Sequence, residues 1–479
     1  MPCHPIRTVV SWGVVAVLLS QGVAHGAEAA AASASPTLEP RELVCQVRYA
    51  GENRVLRQAA GPDPYAAASV DVGGRFRVRA VVLGTPTQID HVTLSAYALE
   101  DGEPPQILHQ LRLHGSFSPN HDVPDMTGWQ HVYAPGLGRE MRYGCALLPT
   151  VAAPLPPPPV APPDQALPAA PDEPVALASA AADTVRIAWM GDVMLADGPG
   201  RLIARGGNPF APFASRLAQA DLRIANLECV IAQGGQALDK PWTFRAAPRV
   251  LPLLQRHVDV VSVANNHAGD YGKAAFAEML QRLDKAGLPY FGGGLDWRQA
   301  HQPRIIERKG VKIALLGYDE FFPRIFEAGE GLPGVAWSED EQVAYDIRQA
   351  RRQADVVIPF MHWGQEHEPR ANDRQRELAR LMIDAGADAV VGTHPHVVQD
   401  TETYRGKPIV YSLGNFVFDG FSSTENNTGW VLWMDVTKQG VQRWHVERAR
   451  MDRDGTPHPL DAPGAISPQR PPAASPHRP

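Results

Sequence analysis

The sequence predicts an α/β domain preceded by a small β-rich domain, and three observations carry that prediction. Between residues 183 and 455, apolar runs of strand length alternate with amphipathic helical segments. Residues 37–150 instead hold short alternating runs, such as "RFRVRAVVL" and "HVTLSAYAL", cut by Gly, Pro and Asp, the pattern of antiparallel strands. The stretch 151–182, "VAAPLPPPPVAPPDQALPAAPDEPVALASAAA", has no core-forming pattern and reads as an extended spacer between the two.

From the N-terminus, "MPCHPIR" is a positive segment, "TVVSWGVVAVLLS" an apolar run short for a membrane span, and "GVAHGAEAA" a small-residue stretch suited to cleavage. Residues 1–28 therefore read as a signal peptide cut near Gly26 to Ala29, which places the protein in the periplasm or another extracytoplasmic space. The alternative is an uncleaved signal that anchors the chain to the membrane. Export permits disulfides. Cys45 and Cys145 lie near the two ends of the β-rich domain, and a bridge between them restricts its unfolded state; the other reading leaves both unpaired. Cys3 leaves with the signal, and Cys229 is expected to be a buried free thiol.

In the α/β domain the expected strands are "TVRIAWM", "LRIA", "VDVVSVA", "VKIALLG", "ADVVIPFM", "ADAVVG" and "KPIVYSL". "GKAAFAEMLQRLDKAG" predicts a helix with Phe276, Leu280 and Leu283 on one face and Gly287 as its stop. "DRQRELARLMIDAG" predicts another, opened by Asp373 and closed by Gly386. The tail 456–479, rich in Pro, reads as disordered. A net charge of -7 and no basic stripe exclude a nucleic-acid surface.

Polar residues able to bind a ligand gather where these strands end. They are Asp192; Asn226 and Glu228; Asn265, Asn266, His267 and Asp270; His362; His394 and His396; and Asn415. In α/β folds the site lies beyond the carboxyl ends of the strands, so the repetition points to one crevice. In "HPH", Pro395 biases His394 towards extended backbone, and residues two apart on an extended segment share a side. Both imidazoles are therefore expected to reach one centre. Carboxylates, imidazoles and an amide oxygen together suit Zn, Mn or Fe, whereas calcium calls for oxygen alone.

In order, G-D-x-M-L, N-L-E, N-N-H-x-x-D-x-G, H-W-G, G-x-H-P-H-x-x-Q and Y-S-L-G-N-F resemble the CapA-type poly-γ-glutamate capsule biosynthesis proteins, of the calcineurin-like metallophosphatase superfamily. The resemblance implies a four-layer αββα sandwich. It makes Asp192, Glu228, Asn266, His362, His394 and His396 the ligands of two divalent ions, with Glu228 bridging them. It makes His267 the acid that assists the leaving group, with Asp270 orienting it. Met194 stands where the wider superfamily's D-x-H opening has a histidine, and "NLE" replaces its G-D-x-x-D.

Arg245 and Asn415 are the substrate-binding candidates. The Arg245 guanidinium suits a carboxylate or phosphate, and Lys240 is nearby; an ordinary surface loop is the competing reading. The implied function is an exported, metal-dependent hydrolase acting in synthesis, release or modification of an anionic surface polymer, poly-γ-glutamate, beside membrane-bound synthase or export components. The alternatives are a general periplasmic metallophosphoesterase and a non-catalytic scaffold that binds the polymer.

Overall fold

The computed structural model describes residues 39–99, 105–115, 117–118, 120–134, 139–150, 183–321, 324 and 326–460. The expected signal segment with Cys3, the spacer 151–182 and the tail from 461 onwards lie outside the described residues.

Two four-stranded antiparallel sheets make the N-terminal domain. One has the order Glu52–Ala59, Arg41–Tyr49, Arg139–Pro149, Gln130–Ala134, and the other Ala68–Val72, Phe76–Gly84, Ile89–Ala98, Gln106–His114. Every second residue of Phe76–Gly84 is buried at first, as half-buried strands require. Phe76, Val78, Val92 and Leu94 of one sheet share a core with Leu43, Val47, Met141 and Leu147 of the other. Cys45 and Cys145 face each other across adjacent strands, are fully buried and are joined by a disulfide.

The C-terminal domain contains two further large sheets. The first runs Tyr290–Phe291, Val260–Ser262, Leu222–Leu227, Val185–Val193, Thr428–Thr437, Gly440–Met451, Pro457–Pro459, with Asn415–Val417 also paired to Val185–Val193. The second runs Arg304–Arg308, Val311–Asp319, Val356–His362, Val390–Thr393, Lys407–Val410, Thr401–Tyr404. The inner strands that carry the predicted site are parallel to one another within each sheet, and Val185–Val193 has an antiparallel neighbour, Thr428–Thr437, on its other side. Alternation along them buries both faces. Ile187, Trp189 and Ile224 meet Ile313, Leu315, Ile358 and Phe360 between the sheets. Ala188, Met190 and Val261 face outward onto Phe276, Met279, Leu280 and Leu283 of the helix Gly272–Ala286. On the far side, Leu316, Val357 and Met361 pack on Val343 and Ile347 of helix Asp340–Arg351 and on Leu378 and Met382 of helix Asp373–Asp384. The order is helix, sheet, sheet, helix: the four-layer sandwich.

The first of these helices ends at Gly287 with φ 70°, the left-handed conformation glycine adopts at least cost. The cap of Asp373–Asp384 is Asn372, one residue earlier than expected: its side chain accepts from Gln375 N and the Gln375 side chain accepts from Asn372 N. The expected tail begins too early, because Pro457–Pro459 is an edge strand on Gly440–Met451, where proline is tolerated. Among the described residues no helix is long and apolar enough to cross a membrane.

The two domains touch along helix Asp340–Arg351. Tyr65 donates its hydroxyl to Asp346 at 2.7 Å and packs its ring against Trp297, and Arg112 pairs with Glu339.

Candidate metal centre

Parallel strands deliver the predicted residues to one end of both sheets. Asp192 lies near the end of Val185–Val193, Glu228 just after Leu222–Leu227, and Asn266 and His267 in the turn after Val260–Ser262. From the second sheet come His362, the last residue of its strand, and His394 and His396, after Val390–Thr393. One donor atom each from Asp192, Glu228 and His362 lie within 4.8 Å of one another, and all three residues are buried. His362 Nε2 lies 2.8 Å from Asn266 Oδ1 and 3.1 Å from His394 Nδ1. His396 Nε2 is 3.6 Å from Glu228 Oε1. All six residues expected as ligands therefore converge.

The hydrogen bonds decide which ring nitrogens face the centre. Thr393 donates its hydroxyl to Met361 O, so Thr393 Oγ1 accepts from His362 Nδ1 at 3.2 Å and Nε2 carries the lone pair. Asn415 Nδ2 donates to Asn426 O, so Asn415 Oδ1 accepts from His396 Nδ1 at 2.9 Å and again Nε2 is exposed to the centre. Asn415, expected at the substrate, is fully buried behind His396 and orients it.

His394 and His396 are not extended. Their φ values are 96° and 55°, so the pair sits in a tight bend beyond the strand end. The pre-proline bias of His394 towards extended backbone is overridden here by the contacts around the bend. Such backbone costs about 1–3 kcal/mol per residue and persists where surroundings hold it. Here His367 N donates to Pro395 O at 2.8 Å and Asn426 Nδ2 to His396 O at 3.0 Å.

The electrostatics suit a cation. Burial, reinforced by the Asp192 charge, pushes Glu228 well above the usual carboxylate range. Burial also pushes Asp192 up, but hydrogen bonding and charge from His396 outweigh it and hold Asp192 low. Burial pushes His394 down to about 3, with the His396 charge adding to it, and depresses His362 strongly. Neutral imidazoles are the form that binds metal, and His362 and His394 are held in it. Burial pushes His396 down, but Asp192 and Asn415 raise it above its ordinary value, so it would give up its Nε2 proton on binding an ion. Glu228 Oε1 and His394 Nε2 are buried and find no hydrogen-bond partner among the described residues. Glu228 Oε1 lies 3.6 Å from His396 Nε2 and 3.8 Å from His362 Nε2, and a buried carboxylate oxygen left without a partner there is costly without a cation and natural with one.

Asn226, singled out only as a strand-end residue, is the hub of the carboxylates. Its Nδ2 donates to Asp192 Oδ1 at 2.8 Å and to Glu228 Oε2 at 3.3 Å, and its Oδ1 accepts from Asn265 Nδ2 at 3.0 Å. The signal was there in "NLE": an amide two residues before a carboxylate shares its side where the backbone stays extended, here across the strand end.

Beside the centre, His267 Nδ1 is 2.8 Å from Asp270 Oδ2, which also accepts from Phe244 N. Lys240, read as an anion-binding candidate, pairs with the other Asp270 oxygen. Arg245 is not joined to the centre: its guanidinium donates to Gly234 O and Gly235 O and stacks 4.3 Å over the Tyr271 ring.

Residues 186–420 match the family model described as bacterial capsule synthesis protein PGA_cap. This region belongs to the CapA-type capsule biosynthesis family. The chain is 39% identical over 210 residues to the PGA biosynthesis protein CapA of Bacillus subtilis, covering 43% of this chain and 54% of that one. It is 35% identical over 173 residues to the capsule biosynthesis protein CapA of Bacillus anthracis, covering 35% and 42%. The chain thus spans about half the length of the curated relatives it matches. Among solved structures, the 5′-nucleotidase precursor of Thermus thermophilus aligns with 57% of this chain and 56% of its own at 13% identity and a TM-score of 0.38. In the CapA-type domain Met194 takes no part in the donor set: it is buried in the core beneath the helix layer, and its sulfur accepts from Ala196 N.

Proposed function

We propose that this CapA-type protein is exported and acts in making, releasing or modifying an anionic surface polymer of the polyglutamate kind through a metal-dependent hydrolase or transferase centre. The observation that carries the reading is the orphaned Glu228 Oε1, which faces His362 Nε2 and His396 Nε2, with Asp192, Asn266 and His394 beside them. Those six residues would hold a pair of divalent transition-metal ions, which supply Lewis-acid polarisation of a phosphoryl or acyl oxygen.

The chain's own residues manage the proton. Asp270, locked by Lys240 and Phe244 N, accepts Nδ1–H of His267 and leaves Nε2 to act. Burial lowers the His267 pKa although Asp270 opposes it, so the ring starts neutral. It takes a proton at Nε2 from the attacking water first and returns it to the leaving group afterwards, which refines the expectation of an acid alone. Asn266 and His267 are the members least enclosed, so substrate reaches the centre from their side. The buried Cys45–Cys145 disulfide and the N-terminal sequence pattern support an oxidising, extracytoplasmic setting. The relatives named for PGA and capsule biosynthesis support the polymer.

The test compares wild type with His394→Ala for bound metal and for hydrolysis of phosphomonoesters, phosphodiesters and poly-γ-glutamate. The expected result is about two equivalents of metal and turnover in wild type, both lost in the variant. Metal without turnover on any of the three substrate classes removes the hydrolase reading and leaves polymer binding; no metal in wild type overturns the centre itself.

A further inference from the structure

We propose a second cation site, at the seam between the β domain and the CapA-type domain, built by His91, His114 and Glu341. His91 lies on strand Ile89–Ala98 and His114 on the neighbouring antiparallel strand, directly opposite it in register. Glu341 comes from the first turn of helix Asp340–Arg351 in the other domain. Three donor atoms meet there. His91 Nδ1 and His114 Nδ1 are 3.1 Å apart, Glu341 Oε1 is 3.3 Å from His114 Nδ1, and Glu341 Oε1 is 3.5 Å from His91 Nδ1.

Those edges form a nearly equilateral triangle. A tetrahedral zinc ion with bonds of about 2.0–2.1 Å has ligand–ligand edges of about 3.3 Å. The three atoms therefore stand at the corners of one face of such a tetrahedron. Two imidazoles and one carboxylate are a donor set that zinc and its neighbours accept. The outer sphere is also built. His91 is 5% exposed and its Nε2 is hydrogen-bonded to Thr93 Oγ1, which pins the ring with Nδ1 turned to the seam. His114 and Glu341 line a cavity of about 580 Å³ between the domains, from which water can complete the fourth position.

The ligands come from both domains, so an ion held here ties the β domain to helix Asp340–Arg351, in line with the Tyr65–Asp346 and Arg112–Glu339 contacts. None of the three belongs to the centre around Glu228, and the site stands whether or not that centre is catalytic.

The experiment titrates the full chain with Zn²⁺ against a chromophoric chelator, and repeats it with Co²⁺ read by visible absorption. Wild type is compared with His114→Ala and Glu341→Gln, each at a side chain with solvent access, 59% and 30% exposed respectively. Circular dichroism checks the fold. The expected result is one equivalent fewer in each variant, loss of one tetrahedral Co²⁺ band set, and a Zn²⁺-induced rise in the melting temperature of wild type that both variants lack. A His362→Ala background, which disables the other centre, should retain the equivalent that His114→Ala removes. Equal stoichiometry and equal Co²⁺ spectra in wild type and both variants overturn the proposal and leave the triad as a proton-sharing hydrogen-bond network.

Discussion

Replacing Asn226 with alanine should weaken divalent-metal binding at the CapA-type centre by about 10–100-fold while leaving every proposed ligand in place. The residue is not itself a ligand, because its oxygen accepts from Asn265 and its nitrogen faces two carboxylates. What it supplies is position. The 2.8 Å bond to Asp192 joins an amide to a carboxylate, a class that contributes about 1.5–3 kcal/mol. The 3.3 Å bond to Glu228 is long and adds little. At about 1.4 kcal/mol per tenfold, loss of the first bond alone is worth about 10–150-fold, which agrees with the range seen for residues that orient ligands. The assay is chelator competition with Zn²⁺ and Mn²⁺ on wild type and variant, in the His114→Ala background so that the seam site does not contribute. An affinity within twofold of wild type would show that other groups hold the carboxylates. A loss beyond about 1,000-fold would show that Asn226 binds the ion directly, because orientation alone does not reach that size. Either result refutes the reasoning.

Two further outcomes follow from the fold. Removing the Cys45–Cys145 bridge by a double alanine substitution should destabilise the β domain by about 4.7 kcal/mol in the chain-entropy model, since the closed loop spans a separation of 100 residues. Urea unfolding with and without reductant measures it, and a loss below about 2 kcal/mol contradicts the entropic account. Asp435, paired with Arg186 and Arg443, is pushed up by burial but held below the usual carboxylate range by those two guanidinium groups. Its folded pKa is depressed, so the stability it contributes is full above about pH 4 and is lost as the pH falls further. The urea midpoints of wild type and Asp435→Asn should therefore converge as the pH is lowered from about 4 to 2.5, and parallel curves would contradict the assignment.

The layers were legible in the sequence because they depend on local pattern. Strands buried on both faces write themselves as continuous apolar runs, as in Val185–Val193 and Val356–His362. The face of Phe276, Leu280 and Leu283 is buried as its spacing predicts. The convergence of Asp192, Glu228, Asn266, His362, His394 and His396 was legible too, because parallel strands bring their carboxyl ends to the same edge.

Only the tertiary structure decided how those groups are held. The bend at His394 and His396 depends on donors from His367 and Asn426, which belong to other loops. The ring orientations depend on Thr393 and Asn415, and the pairing of carboxylates on Asn226. The seam triad needs Glu341 to meet two strands of the other domain. A residue's type and spacing determine which element it joins and which side it faces, because those are short-range consequences of backbone geometry. Its partner, its tautomer and its charge are set by what folding brings against it from elsewhere in the chain.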